Sequence, residues 1–468
     1  MPLRVQGKGS PHRYAGMSVA RARMLILTLL LSSGVMQGCQ AGVTTSTQSS
    51  PTSSSSSSST PTQAAADETG GAETKKATVT AETSPVAQND QTPAERESFD
   101  QWVGEFRQKA RAQGITSTTL DKALAEVRYQ PRIIELDRSQ PEFTRAIWEY
   151  LDSAVSSSRV ENGRQKLAEH RSAADQAQAR YGVPGSVITA IWGIESNYGS
   201  NFGSFSTIDA FATLGYEGRR HAFAEEQLIA ALKIIQEGDI DREHMLGSWA
   251  GAMGHTQFIP TSFLAYAVDG DNDGRRDIWG SIPDVMASTA HYLAKNGWQS
   301  DQPWGVEVTL PEGFDYTRTE LSTRQSTSAW QAQGVQPIQG QSLPAFDQAS
   351  IIAPAGARGP AFLVGPNFRV IMRYNNATSY ALAVALLSQR IDGGPGVQNN
   401  WPRGLKPLTR SQTKEMQGLL NQKGFGTGTP DGIMGPNTRE GLRAWQRSVG
   451  ETPDGFPSSS VLEELRQP

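Results

Sequence analysis

At 468 residues the chain is long enough for roughly two or three domains of about 150 residues each, and its formal net charge of −4 gives no support to a nucleic-acid partner. The single cysteine, Cys39, excludes any intrachain disulfide. Hydrophobic residues make up 37% of the chain, a low share that one early serine tract partly explains.

The N-terminus reads as an export signal. Arg21 and Arg23 precede an apolar run from Met24 to Val35, too short to cross a bilayer comfortably. The stretch Val35-Met36-Gln37-Gly38-Cys39 resembles a bacterial lipoprotein cleavage box, from which Met36 and Gln37 depart. That resemblance implies a signal peptide over residues 1–38 and lipidation of Cys39 as the first mature residue. Because Gln40 is not Asp, it also implies sorting to the outer membrane, facing the periplasm. Each buried methylene of such an anchor contributes about 0.8 kcal/mol. The alternative is an ordinary secreted protein with a stray thiol. Residues 39–93 are Ser, Thr, Ala and Gln with few large apolar side chains, and Ser53–Ser59 is an unbroken serine run. Too little apolar surface is present to offset ordering entropy, so this segment is expected to be a flexible tether.

Periodicity begins at Phe99, with Trp102, Phe106 and Ala110 at helical spacing and Gly114 closing the pattern. A second helix starts near Ser117 and carries Leu120, Leu124 and Val127. A third is expected from Pro141 through Phe143, Ile147 and Leu151. Helical patterns continue over 160–180, 184–198, 222–237 and 283–296. Beyond Trp304 the run Val306-Glu307-Val308-Thr309-Leu310 alternates like a strand, and 350–372 holds further β-like runs. A helix from Tyr380 to Gln389 ends at Gly393-Gly394-Pro395, and residues 393–406 read as a second linker before a compact unit over 407–468. The fold class is therefore mainly α (α+β).

Within 184–199, Val187, Ile188, Ile191 and Ile194 form an apolar stripe that Glu195 interrupts. A carboxylate there is costly to bury unless it is paired or protonated. The nearby helix C-terminus adds to the cost of charging it. Both effects push its pKa upward, as a general acid near neutral pH requires. On this helix alone, a structural glutamate paired to an arginine fits equally well.

Three motifs together are more specific: Gly193-Ile194-Glu195-Ser196-Asn197-Tyr198-Gly199, then Ser248-Trp249-Ala250-Gly251-Ala252-Met253-Gly254-His255-Thr256-Gln257-Phe258-Ile259-Pro260, then Arg373-Tyr374-Asn375-Asn376. In this order they resemble the lytic murein transglycosylase B family over roughly residues 94–392. The resemblance implies a lysozyme-like α fold with a small β portion. It implies cleavage of the β-1,4 bond between N-acetylmuramic acid and N-acetylglucosamine, leaving 1,6-anhydromuramic acid ends. Glu195 matches the family's single catalytic glutamate, acid first and base second. Ser248, Gln257, Tyr292, Tyr374 and Asn375 match substrate-binding positions, and Arg219 and Arg220 match a basic pair facing anionic groups. His255 receives no role. A single carboxylate suits this chemistry, since substrate-assisted glycosidases dispense with the second one. A hydrolase on the same scaffold and a non-catalytic tether between wall and membrane are the competing readings.

Asp269-Gly270-Asp271-Asn272-Asp273-Gly274 opens like an EF-hand loop, with hard oxygens at alternate positions and a glycine at the sixth. Arg275 would supply a backbone carbonyl and Asp277 a water-mediated contact, but the twelfth position is Gly280 rather than glutamate. By the family resemblance Asp284 closes the loop. No cofactor is required for the reaction, and a structural Ca²⁺ is the expected ion if one binds. Finally, Asp431-Gly432-Ile433-Met434-Gly435-Pro436-Asn437-Thr438, followed by Leu442, Trp445 and Gln446, resembles the three-helix peptidoglycan-binding domain of wall hydrolases. The expected partners are glycan strands, the membrane through the anchor, and complexes of wall-synthesis or hydrolase proteins.

Overall fold

A computed structural model describes residues 93–139, 145–217 and 219–467. The expected signal peptide, Cys39 and the tether lie outside the described residues, as do Pro141 and Phe143.

The organising element is the helix Gly185–Ser196, buried on nearly every side, as expected of a helix apolar all round. Helices Ser157–Glu169, Arg171–Tyr181, Ile282–Lys295 and Thr378–Ile391 pack around it. A second group, Thr207–Tyr216, His221–Glu237 and Pro260–Tyr266, extends the same core, which includes Phe211, Leu228, Ile234 and Phe263. The Pro93–Ala112 helix closes it with Phe99 and Phe106.

Several elements differ from the sequence reading. The pattern over 160–180 is two helices, broken at His170, whose backbone leaves helical geometry (φ −110°, ψ 28°). An extra short helix, Pro131–Arg138, starts on a proline suited to a first turn. The expected third helix is described only from Ile147 to Ala154. The β-like run over 350–372 is two strands followed by a helix, Pro366–Tyr374, because Pro366 begins a helical turn.

The β portion is a four-stranded antiparallel sheet in the order Gln336–Pro337, Gly305–Thr309, Ala361–Val364, Ser350–Ile352. Alternation along Ala361–Val364 sends Phe362 and Val364 into the main core and Ala361 and Leu363 into a satellite core around Trp330.

Three helices, Arg410–Gln422, Pro436–Ser448 and Ser459–Leu465, form the C-terminal unit around Met416, Leu420, Leu442, Trp445 and Leu462. The segment 393–406 is not a loose linker. Trp401 packs against Trp148, Arg403 forms a two-pronged ion pair with Asp152, and Glu307 accepts hydrogen bonds from the backbone N–H of Gln398 and Asn399. Glycine and proline at its start mark a turn, while the aromatic anchor beyond them fixes the chain.

Candidate active site

Glu195 sits half-buried in the last turn of the central helix. Three successive residues then adopt left-handed backbone, Asn197 (φ 49°), Tyr198 (φ 59°) and Gly199 (φ 82°). Two of these are not glycine, so the surroundings must hold the turn against its intrinsic cost. Tyr198 donates through its hydroxyl to the Arg159 carbonyl at 2.7 Å, and Arg159 Nη1 donates to the Gly193 carbonyl at 2.6 Å. Ser196 Oγ donates to the His255 carbonyl at 2.9 Å and accepts from the Gly199 N–H at 3.1 Å. Gly193 allows this closure: a Cβ there would lie 2.5 Å from the Tyr198 ring.

Tyrosines crowd the glutamate. Tyr380, from the helix Thr378–Ile391, donates a hydrogen bond to Glu195 Oε1. Burial pushes the Glu195 pKa up to about 7, against the opposing effect of that hydrogen bond, and no other carboxylate contributes. Burial, with Glu195 adding to it, likewise raises the phenols of Tyr374 and Tyr380, and pushes Tyr150 up to about 12. All three therefore stay neutral, and Tyr380 is the one shown to donate to the carboxyl. Tyr292 is also held well above the ordinary range, chiefly by burial, and feels the same charge. Its ring lies 4.8 Å from that of Tyr374, and Phe258 sits 5.7 Å and 5.8 Å from the two. Tyr374 donates to the Thr256 carbonyl at 2.7 Å, and Tyr292 to that of Arg373. Asn375, half-buried, follows Tyr374 directly in extended conformation.

The small-residue motif folds as a tight loop after the strand pair Phe205–Ser206 and Leu246–Gly247. Ser248 closes it, its N–H donating to the Ala252 carbonyl at 2.8 Å and its Oγ accepting from the Ala252 N–H at 3.1 Å. Gln257, at φ 52°, donates through Nε2 to the carbonyls of Phe202 (3.0 Å) and Gly254 (2.9 Å). Its side-chain oxygen is thereby left to accept from elsewhere. His255 joins this loop to the central helix. Trp192 Nε1 donates to its Nδ1 at 3.1 Å and the two rings stack with centroids 5.8 Å apart. Burial lowers the His255 pKa to about 4, so it is neutral at physiological pH and acts as a brace.

Thus Glu195, Tyr292 and Tyr374 share one electrostatic neighbourhood, and Gln257 and Ser248 lie on the loop fastened to it. Arg219 and Arg220 instead both bind Asp137, at 2.9 Å and 2.6 Å. Burial alone would raise the Asp137 pKa, but hydrogen bonds from the two guanidinium groups outweigh it and hold the carboxyl below its ordinary range. Sequence reading missed Tyr380 and Tyr150. The available signal for Tyr380 was a hydroxyl heading the apolar run Ala381–Leu387, which must find a partner when buried.

The acidic loop brings carboxylate oxygens of Asp269, Asp271 and Asp273 within 4.8 Å of one another. Asn272 (φ 65°) and Gly274 (φ 93°) supply the left-handed turns that curl it. Asp284 lies fully buried behind it, accepting from the backbone N–H of Gly270 (2.7 Å) and Asp277 (2.6 Å). Asp277 accepts from the N–H of Trp279 and of Gly280, both at 2.8 Å. Arg275 lends its backbone N–H to Asp273 Oδ1 at 2.8 Å. Three converging hard oxygens on a curled loop suit Ca²⁺.

Comparison with known proteins agrees with this architecture. The transglycosylase SLT domain family matches residues 98–389, and the peptidoglycan binding domain family matches 409–465. The chain is 33% identical over 249 residues to membrane-bound lytic murein transglycosylase B of Escherichia coli (strain K12), covering 52% of this chain and 66% of that relative. SltB3 from Pseudomonas aeruginosa, solved in complex with NAG-anhNAM-pentapeptide, is 51% identical, with a TM-score of 0.77, covering 79% of this chain and all of that one. Escherichia coli Slt35, solved in complex with calcium, is 29% identical, with a TM-score of 0.53, covering 64% of this chain and 93% of that one. With more than half its length matched, the chain belongs to the transglycosylase SLT domain family of enzymes, and it carries a C-terminal peptidoglycan binding domain.

Proposed function

We propose that this protein cuts peptidoglycan glycan strands as a lytic transglycosylase, at the β-1,4 bond between N-acetylmuramic acid and N-acetylglucosamine. The observation that carries the reading is one carboxyl, Glu195, raised to about 7 by burial with no second acid influencing it. A group poised there is protonated often enough to give a proton to the leaving oxygen, and its conjugate base is strong enough to take one back. The proton it recovers comes from the muramyl 6-hydroxyl, whose oxygen closes onto C1 and leaves a 1,6-anhydro end. Tyr380, donating to Oε1, leaves Oε2 as the oxygen that carries the travelling proton. Gln257, through its free amide oxygen, and Ser248, Tyr292, Tyr374 and Asn375 orient the sugars. Arg219 and Arg220, tied to Asp137, keep exposed faces that attract anionic stem groups at longer range.

Asp269, Asp271 and Asp273, with Arg275 contributing its backbone carbonyl and Asp277 and Asp284 behind, would hold Ca²⁺ as a structural ion stiffening the loop. The leader sequence and the membrane-bound relative support anchoring through Cys39 at the periplasmic face of the outer membrane. There the C-terminal unit raises the local concentration of cleavable bonds, and partner wall enzymes could assemble on the anchored chain.

The test is mass spectrometry of peptidoglycan digested by the protein, beside Glu195→Gln. Anhydromuropeptides that disappear in the variant are expected. Reducing muramic acid ends would make the enzyme a hydrolase, and the absence of any soluble product from wall-bound protein would favour a tether.

A further inference from the structure

A cavity of about 260 Å³ lies where the C-terminal unit meets the catalytic region, and it shares no residue with the Glu195 cluster. Its walls come from three distant stretches: the turn at Ala355–Arg358, Leu405 of the connecting segment, and residues 446–461. The junction that encloses it is well made. Ala355, Trp148 and Phe456 form a shared apolar cluster with Trp401 and Leu405. The Ala357 N–H donates to Asp454 Oδ2 at 2.9 Å, while Asp454 Oδ1 accepts from Gln446 Nε2 and the Phe456 N–H, both at 2.9 Å. Ser458 caps the last helix, accepting from the Val461 N–H. Asp454, Gln446 and Ser458 are therefore occupied in building the site.

What remains unengaged is chemically specific. Arg358 and Glu451 both line the cavity, yet neither forms an ion pair or side-chain hydrogen bond with any described residue. The Thr452 hydroxyl, on the same cavity wall as Glu451, has no partner among the described residues either. Burial, with Glu464 and Asp454 nearby, disfavours charge on Glu451, and Arg358 is the one group opposing them. A carboxylate in that setting is stabilised by an incoming cation, and a guanidinium without an ion-pair partner, lining the same cavity, by an incoming carboxylate.

We propose that this interdomain cavity is a binding site for a zwitterionic amino-acid head group, its ammonium on Glu451 and its carboxylate on Arg358. Thr452 supplies a further polar contact, and Leu405, Phe456 and Val461 take the aliphatic part. Such a head group occurs on free amino acids and at the end of a diamino-acid side chain in a peptide. The volume admits one residue and not a disaccharide. The peptide-borne source rests on the wall-cutting reading above, whereas the site itself does not.

The experiment is saturation-transfer NMR and calorimetry on the full chain with three probes. These are free diaminopimelate, cadaverine as a diamine without carboxylates, and a soluble muramyl pentapeptide containing diaminopimelate. Diaminopimelate is expected to bind, with affinity falling at least tenfold in both Arg358→Ala and Glu451→Gln. Binding of the muropeptide alone, with the same dependence on Arg358 and Glu451, would assign the site to wall peptide. Cadaverine binding as tightly as diaminopimelate, binding indifferent to both substitutions, or no binding of either zwitterion would overturn the proposal. Arg358 is exposed and Glu451 half-buried, so both variants should fold, which far-UV circular dichroism checks. Cleavage of peptide-free glycan strands should persist in both variants. If it is absent from the unmodified protein as well, the failure belongs to the functional reading and not to this site.

Discussion

Replacing Glu195 by Gln should make the protein more stable at alkaline pH while removing its activity. The folded chain holds the Glu195 proton up to about 7, whereas an unfolded glutamate releases it near 4.5. Between those values the unfolded state binds fewer protons, so the stability of the unmodified protein falls as pH rises. Each tenfold step corresponds to about 1.4 kcal/mol, which puts the full penalty at about 3 kcal/mol. The carboxyl keeps an edge in solvent, which reduces the expected value to about 2 kcal/mol. A glutamine does not titrate, and its side-chain oxygen still accepts from Tyr380. The two proteins should therefore differ by a constant amount below pH 4, with the variant gaining steadily up to about pH 7.5 and level beyond it. Urea unfolding followed by tryptophan fluorescence at four pH values reads this directly, and Trp192, three residues away, reports locally. A stability difference independent of pH would refute the claim that burial sets this proton.

Three further outcomes follow from the same geometry. Tyr380→Phe removes the one hydrogen bond that lowers the Glu195 pKa. A bond to a charged acceptor is worth about 1.5–3 kcal/mol, so the alkaline limb of the pH–activity profile should move up by one to two pH units. Gly193→Ala drives a methyl into the Tyr198 ring and should cost about 1–3 kcal/mol, read as a lowered urea midpoint together with lost activity. Calcium at a hundredfold excess over its Kd should stabilise the protein by about 2.7 kcal/mol, seen as a melting temperature a few degrees higher; Asp271→Asn should abolish the shift, and magnesium should not reproduce it.

Local chemistry made much of the site readable. Glu195 stood out because a carboxylate on an apolar stripe violates the helix's own pattern, though the helix alone left a structural role equally open. The small residues from Ser248 to Gln257 announced only a packed turn, and their site role came from the family resemblance. The acidic loop was legible because its carboxylates are neighbours in sequence. Tyr150 and Tyr380 were not legible: one feels Glu195 and the other bonds it across 45 and 185 residues, and a lone tyrosine carries no spacing to read. Arg219 and Arg220 were assigned by motif, but their partner Asp137 lies more than 80 residues earlier and only folding reveals it. The segment 393–406 read as a linker, but its anchoring was not legible, because Trp401 needed Trp148 in view to show its purpose.

The short helix Ile147–Ala154 faces both ends of the molecule. Trp148 and Asp152 clasp the connecting segment and the C-terminal unit through Trp401, Phe456 and Arg403. Between them in sequence, Tyr150 stands in the field of Glu195. The helix is only eight residues long, so both sets of contacts fall within about two turns. A change in how the C-terminal helices sit would therefore be felt, within one eight-residue helix, by a phenol in the field of Glu195.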